Sequence, residues 1–415
     1  MNRIILIGNG FDLAHGLKTS YADFIDWYWQ GWGSRLLHGM NRVEEDGLVS
    51  FSLNKKIDVL FWAQVWGRYY LRENPREPWD EEVILELAKT NKDLCDFSII
   101  SPLMEELCMQ LKERKWVDIE NVFFKHLNND FEDPEKVNKE LAVIRGRLID
   151  YLNEVQKEAS GVEMKDDYRN KMLAPFSKKD FAIGSMNHWV EMLQQRVGFP
   201  RGHWDVLISS YLQGDKLYCS RQDVFNFLSD YSNGIIGGIE YLDNRIPSGF
   251  LFPDRILILN FNYTNTADSY LPNVDRFSVN HIHGELSKPE SVVFGYGDEI
   301  DENYKKLSNR NDNRYLENIK SIKYLESPNY RNLLDFIESE PFQVFIMGHS
   351  CGNSDRTLLN TIFEHRNCVS IKPFYHVFDI GRDNYMELAQ NISRNFTDMK
   401  LMRDRVVNKT FCETY

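Results

Sequence analysis

The sequence predicts a mixed α/β protein with a mainly parallel sheet and a large, mostly helical insertion. Short apolar runs occupy residues 4–7, 256–259, 292–294 and 344–347, and glycine follows three of them closely. Such runs are typical of buried parallel strands, because helices covering both faces of the sheet remove the apolar/polar alternation. Helical patterns fill the region between the first run and the second.

The first apolar run ends in a glycine-rich turn at Gly8 and Gly10, and a helix start is expected at position 19 or 20. Strand, glycine turn and helix in this order build phosphate-binding corners, since glycine lets backbone N–H groups approach a ligand. The GxGxxG motif is incomplete, because Leu13 stands where the third glycine would fall. A tight turn without a ligand therefore remains an open alternative.

The middle of the chain carries helix-start signals. Asp133-Pro134 has the form of an N-cap followed by proline at the first helical position, and Ser101-Pro102 opens a second helix. A third helix is expected over 223–228. We therefore expect a nucleotide-binding α/β domain of residues 1–30 plus 251–415 and a helical insertion domain of residues 31–250. The polar stretch 298–327 is either a solvated excursion or a lid.

Composition excludes several classes of protein. The net charge of −13 argues against non-specific nucleic-acid binding, which needs a basic surface. The six cysteines form no CxxC pair, so neither a zinc ribbon nor a disulfide framework is indicated. The first apolar run is too short for a signal peptide, and no stretch is long enough to cross a bilayer. We expect a cytoplasmic protein with no membrane contact.

Four polar clusters stand at or just beyond the ends of apolar segments: residues 8–12, 260–264, 281–284 and 348–355. In open α/β sheets, ligands bind outside the carboxyl ends of the strands. The sequence therefore predicts that the four clusters converge on one crevice.

The first cluster resembles the N-terminal signature of a known family. Gly8-Asn9-Gly10-Phe11-Asp12-Leu13-Ala14-His15-Gly16-Leu17, with Tyr21 and Phe24 after it, is similar to the signature of the AbiH family of bacterial phage-defence (abortive infection) proteins. Trp116-Val117-Asp118-Ile119-Glu120 resembles a second motif of that family. The resemblance covers the whole chain and implies a phage-defence effector.

AbiH proteins in turn resemble sirtuin-like NAD-consuming domains, which implies a Rossmann-like sheet. In that wider group, glycines of the first turn hold the cofactor phosphates, an Asn after a central strand contacts the ribose and orients water, and a His before Gly is the catalytic base. Asn262 matches this Asn and His283 matches this His. Gly348-His349-Ser350 resembles the later turn that cradles the distal ribose and phosphate.

The chain departs from the sirtuin-like pattern in three ways. Thr264 stands where Asp is usual, Asp12 places an acid in the first turn, and the four-cysteine zinc module is missing. The last departure argues against acyl-lysine as the substrate. Hydrolysis of the nicotinamide–ribose bond, with water as acceptor, is the reaction that remains. The expected activity is therefore that of an NAD glycohydrolase, with NAD as substrate and no metal.

The resemblance assigns site residues. The expected catalytic residues are Asn262 and His283. The residues expected to contact NAD are Gly8, Asn9, Gly10, Phe11, Asp12, His15, Tyr263, Gly284, Gly348, His349, Ser350 and Asp355.

Several of these residues have structural alternatives. His283 could be a turn histidine, and His281 could be the true base, an orienting partner of His283 or half of a two-histidine metal site. Asp12 could hold a local turn instead of a ribose hydroxyl. Asp355 could simply complement a helix dipole.

Two rival functions follow from these alternatives. One is a nucleotide sensor that binds an NAD-like ligand without turnover. The other is a metal-dependent nuclease or nucleotide hydrolase that uses Asp12, Asp118, Glu120, His281 and His283, although a structural anchor is the simpler role for Asp118 and Glu120. A homo-oligomer or a partner defence protein is also expected, while direct contact with nucleic acid is not.

Overall fold

The computed structural model describes residues 1–38, 42–58, 60–62, 64, 67, 81–114, 117–159, 163–182, 229, 251–379 and 381–415. Two compact units divide the chain. The first comprises Met1–His15, Val162–Val292 and Tyr324–Tyr415, and the second comprises Gly16–Gly161 and Val293–Lys323.

Ten strands occur among the described residues. In chain order they are β1 (Asn2–Ile7), β2 (Val43–Glu45), β3 (Val49–Leu53), β4 (Cys95–Ile99), β5 (Ile256–Asn260), β6 (Phe277–His281), β7 (Phe342–Met347), β8 (Cys368–Pro373), β9 (Val377–Asp379) and β10 (Arg382–Asp383).

Helices cover much of the remaining described chain. The α-helices are Asn9–Ala14, Tyr21–His38, Glu81–Thr90, Pro102–Arg114, Ile119–Leu127, Pro134–Glu158, Asp166–Met172, Glu302–Ser308, Lys320–Lys323, Asn329–Ser339, Arg356–Phe363, Tyr385–Arg394 and Met399–Arg405. Short 3-10 helices lie at Lys178–Asp180, Pro289–Ser291, Asn313–Tyr315, Tyr324–Glu326, Asn353–Asp355 and Lys409–Phe411.

The first unit is built on a five-stranded sheet in the order β6-β5-β1-β7-β8. All four strand pairings are parallel, and in the centre Ile5 lies beside both Ile258 and Phe345. Every residue of β1, β5 and β7 is buried, which explains why these strands appear in the sequence as continuous apolar runs. The prediction of a mixed α/β protein with a mainly parallel sheet is confirmed.

The apolar run 292–294 is not a strand, so that prediction is wrong. Val292, Val293 and Phe294 are buried, but their backbone does not adopt a strand. The backbone just after it bonds elsewhere: the N–H of Gly295 donates to a Glu120 carboxylate oxygen at 3.3 Å, and Tyr296 pairs with Asn318. An apolar run indicates burial, and burial alone does not specify a strand.

The second unit contains a sheet as well as helices. It contains the antiparallel sheet β2-β3-β4, in which Val49, Phe51 and Leu53 alternate with half-buried serines. This period of two is the ordinary signature of a half-buried strand. Val293–Lys323 also belongs to this unit, which differs from the expected boundaries at 30 and 250. A hydrogen bond holds the segment Val293–Lys323 in this unit: the Asn138 amide donates to the carbonyl of Arg314 at 2.7 Å.

The helix-start signals hold wherever the structure describes them. Asp133 caps Pro134–Glu158 by accepting from the Glu135 N–H, and a helix follows Ser101. Ser20 and Asp23 cap each other's backbone N–H ahead of Tyr21–His38, which confirms the start expected at 19 or 20. The helix expected over 223–228 lies outside the described residues. Among the described residues, we find no helix that is both long and apolar enough to span a membrane.

Candidate functional site

The four polar clusters gather at the carboxyl edge of the parallel sheet. They follow β1, β5, β6 and β7, which are consecutive neighbours in that sheet. Because parallel strands end at the same edge, the loops after them are brought together. The first strand lies in the middle, and later strands are added on either side of it, so the strand order reverses direction beside β1.

The first turn packs directly against the turn after β7. The Gly10 N–H donates to the Gly348 carbonyl at 2.8 Å. Gly348 has φ +78°, and a Cβ there would lie 2.2 Å from the backbone nitrogen of Phe11. A Cβ at Gly8 would lie 2.7 Å from the Cα of His349. The glycines therefore permit close contact between two backbone turns, and the Gly10 N–H, expected to face a phosphate, is bound within the protein.

Asp12 is a buried carboxyl group, only 1% exposed. Its Oδ2 accepts a hydrogen bond from the Thr264 hydroxyl at 2.6 Å, while Oδ1 has no hydrogen-bond partner in the part of the chain that the structure describes. Burial raises the pKa of Asp12 to about 6, and the hydrogen bond from Thr264 acts in the opposite direction. Asp12 and Thr264, two of the three departures from the sirtuin-like pattern, are thus bonded to each other.

Two asparagines shape the loop after β5. Asn262 is half-buried, and its Nδ2 donates to the Gly8 carbonyl at 3.1 Å, which ties this loop to the first turn. Asn260 is buried; it accepts from the Asn262 N–H at 3.0 Å and donates to the Thr264 carbonyl at 3.0 Å. Sequence reasoning did not assign Asn260 a role, although a lone amide closing an apolar strand was a usable signal.

The two histidines after β6 have different partners. His281 closes the strand, and its Nε2 lies 3.0 Å from Oδ1 of the partly exposed Asp268. His283 lies beyond the strand and is 4% exposed. Its Nε2 is 3.1 Å from Oδ1 of Asp355 and 3.1 Å from the Tyr324 hydroxyl.

Asp355 joins two histidines. Its Oδ1 faces Nε2 of His283, and its Oδ2 lies 3.7 Å from Nε2 of His349. All three side chains are at least nine-tenths buried, and the ring of Phe261 packs against both imidazoles, at 5.2 Å and 4.1 Å between centroids. We refer to His283, Asp355 and His349 as the acid–base cluster.

Tyr324 completes the surroundings of His283. It is 5% exposed, and its ring is nearly parallel both to the ring of His283 and to that of Tyr330. Sequence reasoning missed it, because Tyr324 lies in the polar stretch 298–327 and nothing local distinguishes it from its neighbours.

A strained turn positions His349. Cys351 adopts the left-handed φ of +55°, rare for a residue with a side chain. Its N–H donates to Nδ1 of His349 at 3.0 Å, and its carbonyl accepts from Nδ2 of Asn395 at 2.9 Å. Burial raises the pKa of the Cys351 thiol well above its usual range, so this cysteine is not an activated nucleophile. Ser350, beside it, is exposed.

Other residues expected in the site lie at different depths. Phe11 is fully buried in the core, with its ring 5.2 Å from that of Tyr270. His15 bonds the Phe11 carbonyl at 2.7 Å and the Tyr270 hydroxyl, and burial lowers its pKa. These contacts make Phe11 and His15 part of the packing beneath the turn. Asn9 is exposed and Tyr263 is half-buried, so both lie at the rim.

Gly284 and its neighbours hold the turn after His283. Gly284 has φ +82°, and a Cβ there would lie 2.1 Å from the Ser291 carbonyl oxygen. Glycine is therefore required at the second position of the His-Gly pair for steric reasons.

The second motif has structural roles. Asp118 caps Ile119–Leu127 by accepting from the Asn121 N–H at 3.1 Å. Glu120 is buried and pairs with the ammonium of Lys320 at 2.8 Å. Trp116 lies outside the described residues. Across the described ranges, no group of three or more His, Cys, Asp or Glu side chains could hold a metal ion.

The fold and the site together define a class: a parallel α/β protein with a buried acid–base cluster at the carboxyl edge of its sheet. The family model described as bacteriophage abortive infection AbiH matches residues 4–376. The chain therefore belongs to the AbiH family, whose role is in abortive infection by bacteriophage. No curated protein and no solved structure matches the chain.

Proposed function

We propose that this chain is a phage-defence effector that binds NAD and hydrolyses its nicotinamide–ribose bond. The observation that carries the proposal is the composition of the carboxyl edge of the sheet. A neutral amide, Asn262, follows β5, and a histidine with a carboxylate partner, His283, follows the neighbouring strand β6. These are the groups needed to position a water molecule and to accept its proton.

The reaction breaks the bond between the ribose carbon and the nicotinamide nitrogen. The electron pair leaves with nicotinamide, which becomes neutral, and the ribose carbon develops oxocarbenium character. A water oxygen then bonds to that carbon and loses one proton. In the proposed mechanism the Asn262 carboxamide orients this water without adding charge, and His283 accepts the proton.

Asp12 supplies an acceptor for the ribose. Its Oδ1 is a buried oxygen with no partner among the described residues, and a sugar hydroxyl is a donor that would satisfy it. The strand order also supports a dinucleotide ligand. In open α/β sheets a ligand crevice lies where the strand order reverses, and the order here reverses beside β1.

The pyrophosphate needs donors other than the Gly10 N–H, which is bonded to Gly348. Asn9 and Ser350 are the exposed polar residues of the two turns concerned, and we assign the phosphate contacts to them. An overall basic surface is not required, because polar side chains and backbone N–H groups can bind a single small anion.

A nucleotide sensor is the second candidate function. His283, Asp355 and His349 are all at least nine-tenths buried, which favours a closed site that binds its ligand only after a change of conformation. Saturable binding of NAD without turnover in every condition, including phage infection, would favour the sensor.

The proposal is tested with NAD and the chain purified from phage-challenged cells, by quantifying nicotinamide and ADP-ribose with and without a chelator. We expect equal amounts of both products from the wild type, no effect of chelator, and no products from His283→Ala or Asn262→Ala. Nucleic-acid cleavage that stops on chelation, with NAD intact, would instead identify the metal-dependent nuclease.

A further inference from the structure

We infer that Asp355 is the positioning residue that fixes which nitrogen of His283 carries the proton. The inference rests on the proposed function for its catalytic meaning, and on the geometry of the acid–base cluster for its physical content. An ionised carboxylate can only accept hydrogen bonds. Facing Asp355 Oδ1 at 3.1 Å, Nε2 of His283 therefore bears the proton, and Nδ1 carries the lone pair.

The opposite tautomer is disfavoured by the same contact. With the proton on Nδ1, the lone pair of Nε2 would point at a buried carboxylate oxygen, and repulsion in a water-poor site is not screened. The Tyr324 hydroxyl, also 3.1 Å from Nε2, could donate to that lone pair but would not remove the repulsion. The Tyr324 hydroxyl therefore accepts from the Nε2–H group of His283 or packs beside the pair of His283 and Asp355.

His349 presents a second N–H group to Asp355. The Cys351 N–H donates to Nδ1 of His349 at 3.0 Å, so Nδ1 is an acceptor and the proton of the neutral ring is on Nε2. That Nε2–H lies 3.7 Å from the second oxygen of Asp355. Two N–H groups thus face the two oxygens of one buried carboxylate, and the strained turn at Cys351 holds one of them in place.

The geometry gives Asp355 two effects on His283. It directs Nδ1 as the proton-accepting nitrogen, and it stabilises the imidazolium that forms when His283 takes a proton from water. Among the described residues, the titratable groups beside His283 include Asp355 and Tyr324, and those beside Asp355 include His283, His349 and the Cys351 thiol. Asp355 itself need not touch NAD.

The test uses Asp355→Asn, which keeps the size of the side chain but offers an N–H to Nε2 of His283. We expect the kcat of NAD hydrolysis to fall by about 100-fold or more, with KM changed less than about threefold, because the wrong nitrogen then holds the proton. The pH of half-maximal kcat should also move downward, because the imidazolium loses its counter-charge. A purely structural role would lower the amount of folded enzyme and leave the pH profile unchanged.

The matched control is Asp268→Asn. It removes the carboxylate from the other Asp–His pair at the same edge, where Asp268 Oδ1 and Nε2 of His281 are 3.0 Å apart, against 3.1 Å in the pair of Asp355 and His283. We expect its kcat and pH profile to stay close to those of the wild type. If Asp268→Asn abolishes turnover and Asp355→Asn does not, the inference is overturned and His281 is the base.

A spectroscopic measurement separates this inference from the proposed function. Side-chain ¹⁵N NMR of histidine-labelled protein, with the His283 signals assigned from His283→Gln, reports the tautomer without any turnover. We expect the Nε2–H form in the wild type and the Nδ1–H form in Asp355→Asn. That result supports the inference even if NAD proves not to be the substrate. An Nδ1–H form in the wild type overturns it even if NAD is hydrolysed.

Discussion

Asp12 gives the most quantitative prediction, because its carboxyl group ionises inside the protein. Burial raises its pKa from the ordinary 3.8 to about 6. The folded state therefore holds a proton that the unfolded chain has already lost at moderate pH. A raised carboxyl pKa means that the free energy of unfolding falls as pH rises through 3.8 to about 6, and then levels off.

The magnitude follows from these two values. The complete pKa shift lowers the free energy of unfolding by about 3 kcal/mol between low and high pH. About 1.4 kcal/mol of that decrease falls between pH 5 and pH 7.5. Asp12→Asn removes this titration but keeps an oxygen that can accept from Thr264. The free energy of unfolding of the variant, relative to the wild type, should therefore rise by about 1.4 kcal/mol between those two pH values. Any constant cost of the buried amide cancels in this comparison.

The assay is urea unfolding at pH 5 and pH 7.5, followed by circular dichroism, on the wild type and Asp12→Asn. The control is Asp404→Asn, which removes the same charge from an exposed position. We expect the Asp404→Asn difference from the wild type to be equal at both pH values. If the Asp12→Asn difference is also independent of pH, the carboxyl group is not perturbed and the described burial of Asp12 is refuted.

Two further predictions concern stability. Lys320→Met leaves the buried Glu120 without its cation and should lower the free energy of unfolding by about 3–5 kcal/mol. Adding Glu120→Gln should recover much of that loss in the same urea assay, and no recovery would contradict the pairing. Gly348 and Gly16 have nearly the same left-handed φ, +78° and +79°. In Gly348→Ala the added Cβ would lie 2.2 Å from a backbone atom, whereas in Gly16→Ala it would lie in open space. Gly16→Ala should cost about 1–2 kcal/mol and Gly348→Ala clearly more, as thermal unfolding would show; equal costs would contradict the close contact of the two turns.

The sequence predicts the centre of the fold better than its periphery. β1, β5 and β7 are buried on both faces. Their apolar runs can therefore be recognised as strands from the sequence without knowing which strands they pair with. β8 escaped notice because Lys372 interrupts it, and that lysine is accommodated by Asp180, 3.3 Å away, in a distant part of the chain. The prediction for the run 292–294 was wrong for the converse reason, since the run is buried but does not adopt a strand.

For the candidate site as well, the sequence predicts one part and not another. The clusters after β1, β5, β6 and β7 could be placed at one edge from the sequence, because parallel topology alone brings them together. The contacts within the site could not. The pairing of His283 with Asp355 and Tyr324 depends on loop conformations and on segments far apart in the chain. The role of the glycines in backbone contact likewise becomes visible only in three dimensions.

The most direct test of the central claim is the NAD content of cells that express the wild type, His283→Ala or Asn262→Ala, before and during phage challenge. The account predicts that, after infection, NAD collapses only in cells that express the wild type, and that cells expressing either variant lose protection. Protection that persists while NAD stays level would contradict the claim that this chain acts by hydrolysing NAD.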